Sequence, residues 1–174
     1  MTRIQPPKAY EYAPFYANYV KLAADKGDVM STLTALKDST YKLFMSIPAE
    51  RGDHAYAPGK WTIKQVLAHL IDVERVFAYR LLCFMRKDAT PLPGFDENEY
   101  ADHHDVAKRS LTDLAQEFKD LRSANLYLYR SVTAEASLIQ GNANGNVMSV
   151  RAQLHVIAGH ELHHLNILYE RYLL

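Results

Sequence analysis

Trp61-Thr62-Ile63-Lys64-Gln65-Val66-Leu67-Ala68-His69 decides how this chain folds. Thr62 and Gln65 have the spacing of a capping box, in which each side chain takes up a free amide at the start of a helix. Trp61 before the cap and Val66 in the first turn supply the hydrophobic staple across the same junction. A helix therefore begins just after Thr62. Val66, His69, Val73, Val76 and Phe77 recur at helical spacing and mark its inward stripe. Pro91, Pro93 and Gly94 put its end near Lys87.

The same reading extends outward. Pro14 starts a short helix through Ala24, with Phe15, Tyr19 and Leu22 on one side, and Lys26-Gly27-Asp28 breaks and re-caps the chain. Asp28 then caps a helix over Val29–Ser46, whose stripe is Leu33, Leu36, Leu43, Phe44 and Ile47. Pro48 stops it. Residues 89–109 are polar and turn-rich, which suits a long crossover better than a tight hairpin. Ser110 and Asp113 open a third long helix carrying Leu111, Leu114, Phe118, Leu121 and Leu128. Gly141-Asn142-Ala143-Asn144-Gly145-Asn146 reads as a loop, and Ser149 caps a fourth helix running to the C-terminus. No segment alternates well enough to predict a strand. The expected fold is all-α: a four-helix bundle plus a short N-terminal helical segment, with residues 1–174 as a single domain.

Composition narrows the function. Apolar residues make up 48% and charged residues 23% of the 174, as in a globular chain and unlike a disordered one. Lys+Arg and Asp+Glu balance at 20 each, so there is no net basic field for nucleic acid or an anionic membrane surface. The single cysteine, Cys83, excludes an intrachain disulfide and a cysteine-only metal cage. Met1–Pro7 lacks the apolar core of a signal peptide and no run is long enough to span a bilayer, so the expected location is the cytoplasm.

The chemistry concentrates in Gly159-His160-Glu161-Leu162-His163-His164. His160 and His164 stand at i and i+4, so their imidazoles share one helical face and can reach one metal ion. Val156, Ile157, Ile167 and Leu168 flank them, so that face meets the core. Two adjacent imidazoles there are costly without partners, and a cation is a partner to both. His69 faces inward too. It lies about 10 Å along its helix from the Thr62 cap, while His160 and His164 lie about 15–21 Å from the C-terminus. Antiparallel helices bring these levels together. A lone inward histidine is more often a satisfied core residue; a pair at i, i+4 with a third at matching depth points to a three-histidine metal site. Three ligands with one open position describe a catalytic metal.

His160–His164 also spells H-E-x-x-H, the zincin protease motif. Ile167 and Glu170 stand where one zincin group turns toward its third histidine, and only ten residues follow His164, so a protease is disfavoured. A ferritin-like di-iron site needs a second Glu-x-x-His, which the sequence lacks. Asp72, i+3 from His69, is a candidate to orient an imidazole or bound water. Glu161 is a candidate general base, or a residue of the bundle surface. His163 borders the metal face. His155 points away and is expected to be exposed. His54, His103 and His104 fall in loops, and Cys83 reads as core.

Ala57-Pro58-Gly59-Lys60-Trp61-Thr62-Ile63, His69-Leu70-Ile71-Asp72-Val73-Glu74-Arg75, Leu92-Pro93-Gly94-Phe95-Asp96 and the ending from Ala158 through Tyr172 together resemble the DinB/YfiT-like superfamily. The resemblance runs from about Tyr12 to the end. It implies an up-down-down-up bundle and a divalent metal held at His69, His160 and His164, zinc or nickel above manganese or iron. It further implies a homodimer and a small-molecule substrate. Characterised relatives include low-molecular-weight thiol transferases. The expected function is a metal-dependent enzyme that transfers such a thiol to a small electrophile or hydrolyses a small molecule. The rival is a non-catalytic metal-binding, stress-related or interaction module whose ion mainly stabilises the bundle; a fourth protein ligand would mark it.

Overall fold

Each long helix begins where a short polar side chain takes up a free amide of the first turn. The computed structural model describes residues 3–173; Met1, Thr2 and Leu174, at the ends of the expected 1–174 span, lie outside the described residues. In chain order the helices are α1 (Ala17–Ala24), α2 (Val29–Ser46), α3 (Ile63–Met85), α4 (Glu97–His103), α5 (Leu111–Arg130) and α6 (Val150–Ile167). Two strands, β1 (Gln140–Ala143) and β2 (Asn146–Ser149), precede α6. Asp28 accepts from the Ser31 amide at 2.8 Å to open α2. Thr62 and Gln65 make the reciprocal capping box of α3 at 3.2 and 2.9 Å. Ser110 and Ser149 cap α5 and α6. α3 ends in a Schellman turn, with the Lys87 amide on the Phe84 carbonyl and the Asp88 amide on that of Cys83. Lys87 holds the left-handed conformation (φ 56°) that glycine usually occupies there.

α2, α3, α5 and α6 form the four-helix bundle, and residues 86–110 make its long crossover. α5 packs against α2 and α3, and α6 packs against the same two, so α2 and α3 stand on a diagonal. Leu33, Phe44, Leu67, Ile71, Phe118 and Leu154 are buried between them. At the centre lies a charged group to which all four helices contribute. Arg122 of α5 is 1% exposed and bonds Glu74 of α3 at 2.8 and 2.9 Å and Glu161 of α6 at 2.7 Å. Thr40 of α2 donates to Glu161 at 2.5 Å; Tyr129 and Asn125 donate to Glu74 at 2.8 and 3.0 Å. Burial works to raise the Glu74 carboxyl, but Arg122 and its other donors hold it below the usual range. Burial wins at Glu161, which is raised.

Three expectations need correcting. Residues 141–146 are not a plain loop: β1 and β2 pair antiparallel, Gln140 with Ser149 through Ala143 with Asn146. Asn144 and Gly145 both have positive φ (53° and 72°), the two-residue turn that matches strand twist. The Asn-Gly dipeptide is its sequence signal; the strands themselves are too polar to alternate. Leu92 joins the hairpin edge through bonds of 3.0 and 2.9 Å to Asn142 and Asn144, which pins residues 92–95 near α3. Next, the crossover contains α4, capped by Asp96, so His103 is helical and His104 is a helix cap. Finally, His155 is fully buried. α6 is covered by the bundle on one side and by α1 on the other, which leaves it no solvent face at that point. The His155 Nδ1 donates to the Arg151 carbonyl at 2.8 Å.

Candidate metal centre

Helical spacing stacks His164 one turn beyond His160 on α6, and antiparallel packing sets His69, near the start of α3, opposite them. The structure brings these three imidazoles together. The Nε2 atoms of His69 and His160 are 3.0 Å apart, those of His164 and His160 are 3.1 Å apart, and the three potential ligand atoms lie within 4.8 Å of one another. Among the described residues, no fourth histidine, cysteine or carboxylate joins the cluster. His69 and His160 are buried and His164 is partly buried.

Burial sets the charge of this group. It lowers the His69 pKa to about 4. At His164 burial, helped by the neighbouring imidazoles, lowers it to about 3, and His160 is pushed well below its ordinary value for the same reasons. All three rings are therefore neutral at pH 7, the form that binds metal.

Hydrogen bonding alone cannot satisfy the cluster. A neutral imidazole acceptor has one lone pair in its plane, so the His160 Nε2 cannot accept well from both neighbours. A shared cation can satisfy all three. Nitrogens each about 2.0–2.1 Å from one tetrahedral ion stand roughly 3.3 Å apart, close to the separations of His160 from His69 and from His164. The residues present thus fit a divalent metal, and an all-imidazole donor set suits zinc, nickel, copper or iron.

The cluster forms one wall of a cavity of about 480 Å³. Trp61 lies 4.7 Å from the His69 ring and stacks over His164 at 6.4 Å and 20°. Tyr19 meets His160 edge-on at 5.5 Å, and Phe77 does so at 5.9 Å. Phe15, Tyr16 and Phe95 complete the aromatic lining; Arg80, Glu97, Asn144 and His163 supply the polar part. His163 sits 5.3 Å from the Tyr19 ring, on the border of the cluster.

The two carboxylates singled out from the sequence lie elsewhere. Asp72 occupies a side crevice next to His69, with its Oδ2 3.2 Å from the His104 Nδ1 and its Oδ1 3.6 Å from Arg75. Glu161 is 1% exposed, which corrects the bundle-surface alternative, and its oxygens are taken by Thr40 and Arg122. His54 lies edge-on to Tyr172 at 6.3 Å, and Cys83 is in the core.

Sequence reasoning missed most of the cavity wall. Arg80 was legible: it follows His69 by eleven residues, about three turns, and so shares its face of α3. Tyr16, Tyr19, Phe95 and Asn144 come from segments that only tertiary packing brings here.

No curated protein sequence matches this chain. A solved structure of similar fold is that of YfiT from Bacillus subtilis, described as a probable metal-dependent hydrolase with an unusual four-helix bundle topology. The TM-score is 0.71 at 18% identity, covering 84% of this chain and 83% of YfiT, a likeness of fold. A family profile matches residues 32–168, a span that holds α3, α5 and α6 whole, α2 except its first three residues, and the three clustered histidines. By that match this chain belongs to the DinB superfamily.

Proposed function

We propose that this chain is a divalent-metal-dependent enzyme acting on a small molecule. One observation carries the reading: three imidazole nitrogens converge on the wall of an open cavity, with no fourth protein donor among the described residues. Three protein ligands and a free position characterise catalytic sites, whereas structural sites are closed by a fourth ligand. The same observation weighs against a non-catalytic metal module.

A divalent ion held by His69, His160 and His164 supplies Lewis-acid activation of a water or thiol nucleophile at neutral pH. The chain's own residues do the rest. Trp61, Phe77 and Tyr19 pack the imidazoles from outside and fix their rings. The aromatic lining receives the apolar part of a substrate. Asp72 and Glu161 act as positioning residues, Asp72 through His104 beside the His69 turn and Glu161 by locking α6 to α2 and α5.

Hydrolysis is the first reading, supported by the description of YfiT. Transfer of a low-molecular-weight thiol to an electrophile is the second, supported by the superfamily resemblance and by a donor set that leaves room for a thiolate. Zinc or nickel is the proposed metal, and a homodimer is proposed on the resemblance. Elemental analysis of protein purified without an affinity tag should find one metal per chain. The loaded protein should turn over small esters or amides, or couple glutathione or another small thiol to a chromogenic electrophile, and lose that activity with chelator. Full metal loading with no metal-dependent turnover of either kind would leave the non-catalytic module.

A further inference from the structure

We propose that Arg80 is an anion-recognition residue, so that the substrate of the three-histidine cavity is a small molecule bearing a carboxylate or similar oxyanion. The inference rests on reading that cavity as a substrate site. Arg80 is 3% exposed, yet it lines the cavity and is the one arginine or lysine among the described residues that does so. A buried guanidinium is costly unless a carboxylate compensates it. The other buried arginine follows that rule: Arg122 holds Glu74 and Glu161. Arg80 does not. Among the described residues no carboxylate lies within ion-pair distance of it; its neighbours are neutral, the Pro93 carbonyl accepting from Nη2 at 2.7 Å and the Tyr16 hydroxyl facing the guanidinium. Glu97, the acidic residue of the lining, is exposed and makes no ion pair with it.

The guanidinium is nevertheless well held. Its Cζ sits over the Phe77 ring at 5.6 Å and the Phe95 ring at 5.9 Å, and the Pro93 carbonyl fixes one corner. An arginine has five N–H donors in a planar fork; the Pro93 carbonyl takes one and the Tyr16 hydroxyl faces the group, which leaves the rest of the fork free. A pre-set fork with free donors beside an open cavity is suited to bidentate capture of a carboxylate. The spacing fits as well. Phe77 touches both Arg80 and His160, at 5.6 and 5.9 Å, so the anion site and the imidazole cluster are separated by one aromatic ring. A small molecule held at Arg80 by its anionic end places its other end at the cluster.

The test uses 3-phenylpropionate and its neutral isostere 3-phenylpropanamide, with binding read from the fluorescence of Trp61, the single tryptophan, which lies in the cavity wall. A metal ion would itself attract a carboxylate, so titrations are run on chelator-stripped and zinc-loaded protein. Expected in stripped protein is a preference for the acid of about tenfold or more. Arg80→Gln should bring it to about one, and Arg80→Lys, which keeps the charge but loses the fork, should leave it in between. Equal binding of acid and amide to stripped protein overturns the proposal, as does a preference that survives Arg80→Gln. A preference seen with zinc alone and unchanged in Arg80→Gln also overturns it while supporting the metal reading. Should Arg80→Gln fail to fold, the wild-type ratio and Arg80→Lys decide. If His69→Ala and His160→Ala both keep full metal, the metal reading falls, and an Arg80-dependent preference in stripped protein still stands.

Discussion

Gly159 and Tyr19 meet backbone to backbone: the Tyr19 carbonyl lies where a Cβ on Gly159 would project. This contact lets α1 lie close on α6 one residue before His160, and it places the Tyr19 ring over the imidazole cluster. A methyl group there cannot be relieved by a side-chain rotation, because the obstacle is main chain. We expect Gly159→Ala to force α1 away from α6, at a cost of about 1–3 kcal/mol. Urea denaturation measures the loss, and metal titration should show weakened binding, since one wall of the cavity moves. Unchanged stability would mean that α1 shifts freely and does not fix the site.

Removal of either helix's ligand should break the metal site without breaking the fold. His69→Ala and His160→Ala are each expected to drop bound metal from one per chain to near zero after dialysis. Far-UV circular dichroism should stay close to wild type, because the helix caps, the core leucines and the Arg122 group are untouched. Elemental analysis checks the first outcome; full occupancy in both variants would refute the ligand assignment.

Acid should destabilise the metal-free protein from below neutrality. His69 has a folded pKa of about 4 against an ordinary 6.5, and His164 about 3. Below pH 6.5 the unfolded chain therefore binds protons that the folded chain does not, so stability is complete above that value and falls as pH drops toward 4 and 3. For His69 alone the loss approaches about 3 kcal/mol at the lower end. Thermal melts of stripped protein between pH 7 and 4 measure it. A His69→Ala variant should show a shallower decline; an identical slope would show that the imidazole is not desolvated.

The central charged group is expected to be intolerant of losing its cation. Arg122→Met leaves Glu74 and Glu161 buried together with no positive charge, and a cost of about 3–5 kcal/mol follows. Because Glu161 precedes Leu162 on the turn joining His160 to His164, the metal affinity of that variant should fall as well. Chemical denaturation and zinc titration read the two effects. A variant of wild-type stability would show that the carboxylates are neutral without Arg122.

Much of the fold was legible because helix signals are local. Thr62 with Gln65, Asp28, Ser110 and Ser149 each act on amides within a turn, so their effect can be read without knowing the tertiary structure. The inward histidines were legible for a related reason: His160 and His164 share a face through helical geometry alone, and His69 stands on an apolar stripe. The β-hairpin was not, because its strands rest on backbone pairing between polar residues and its cue is the single dipeptide Asn144-Gly145.

What the residues determined by themselves is a set of four capped amphipathic rods, two of which carry imidazoles on their buried faces. Tertiary structure decided the rest, since burial depends on what covers a face. α1 lies over α6 and removes His155 from water, and Arg122 draws Glu161 away from the cavity into the centre of the bundle. The crossover, pinned to the hairpin at Leu92, brings Phe95 and the Pro93 carbonyl to Arg80. Such contacts join residues far apart in sequence, and no local periodicity encodes them.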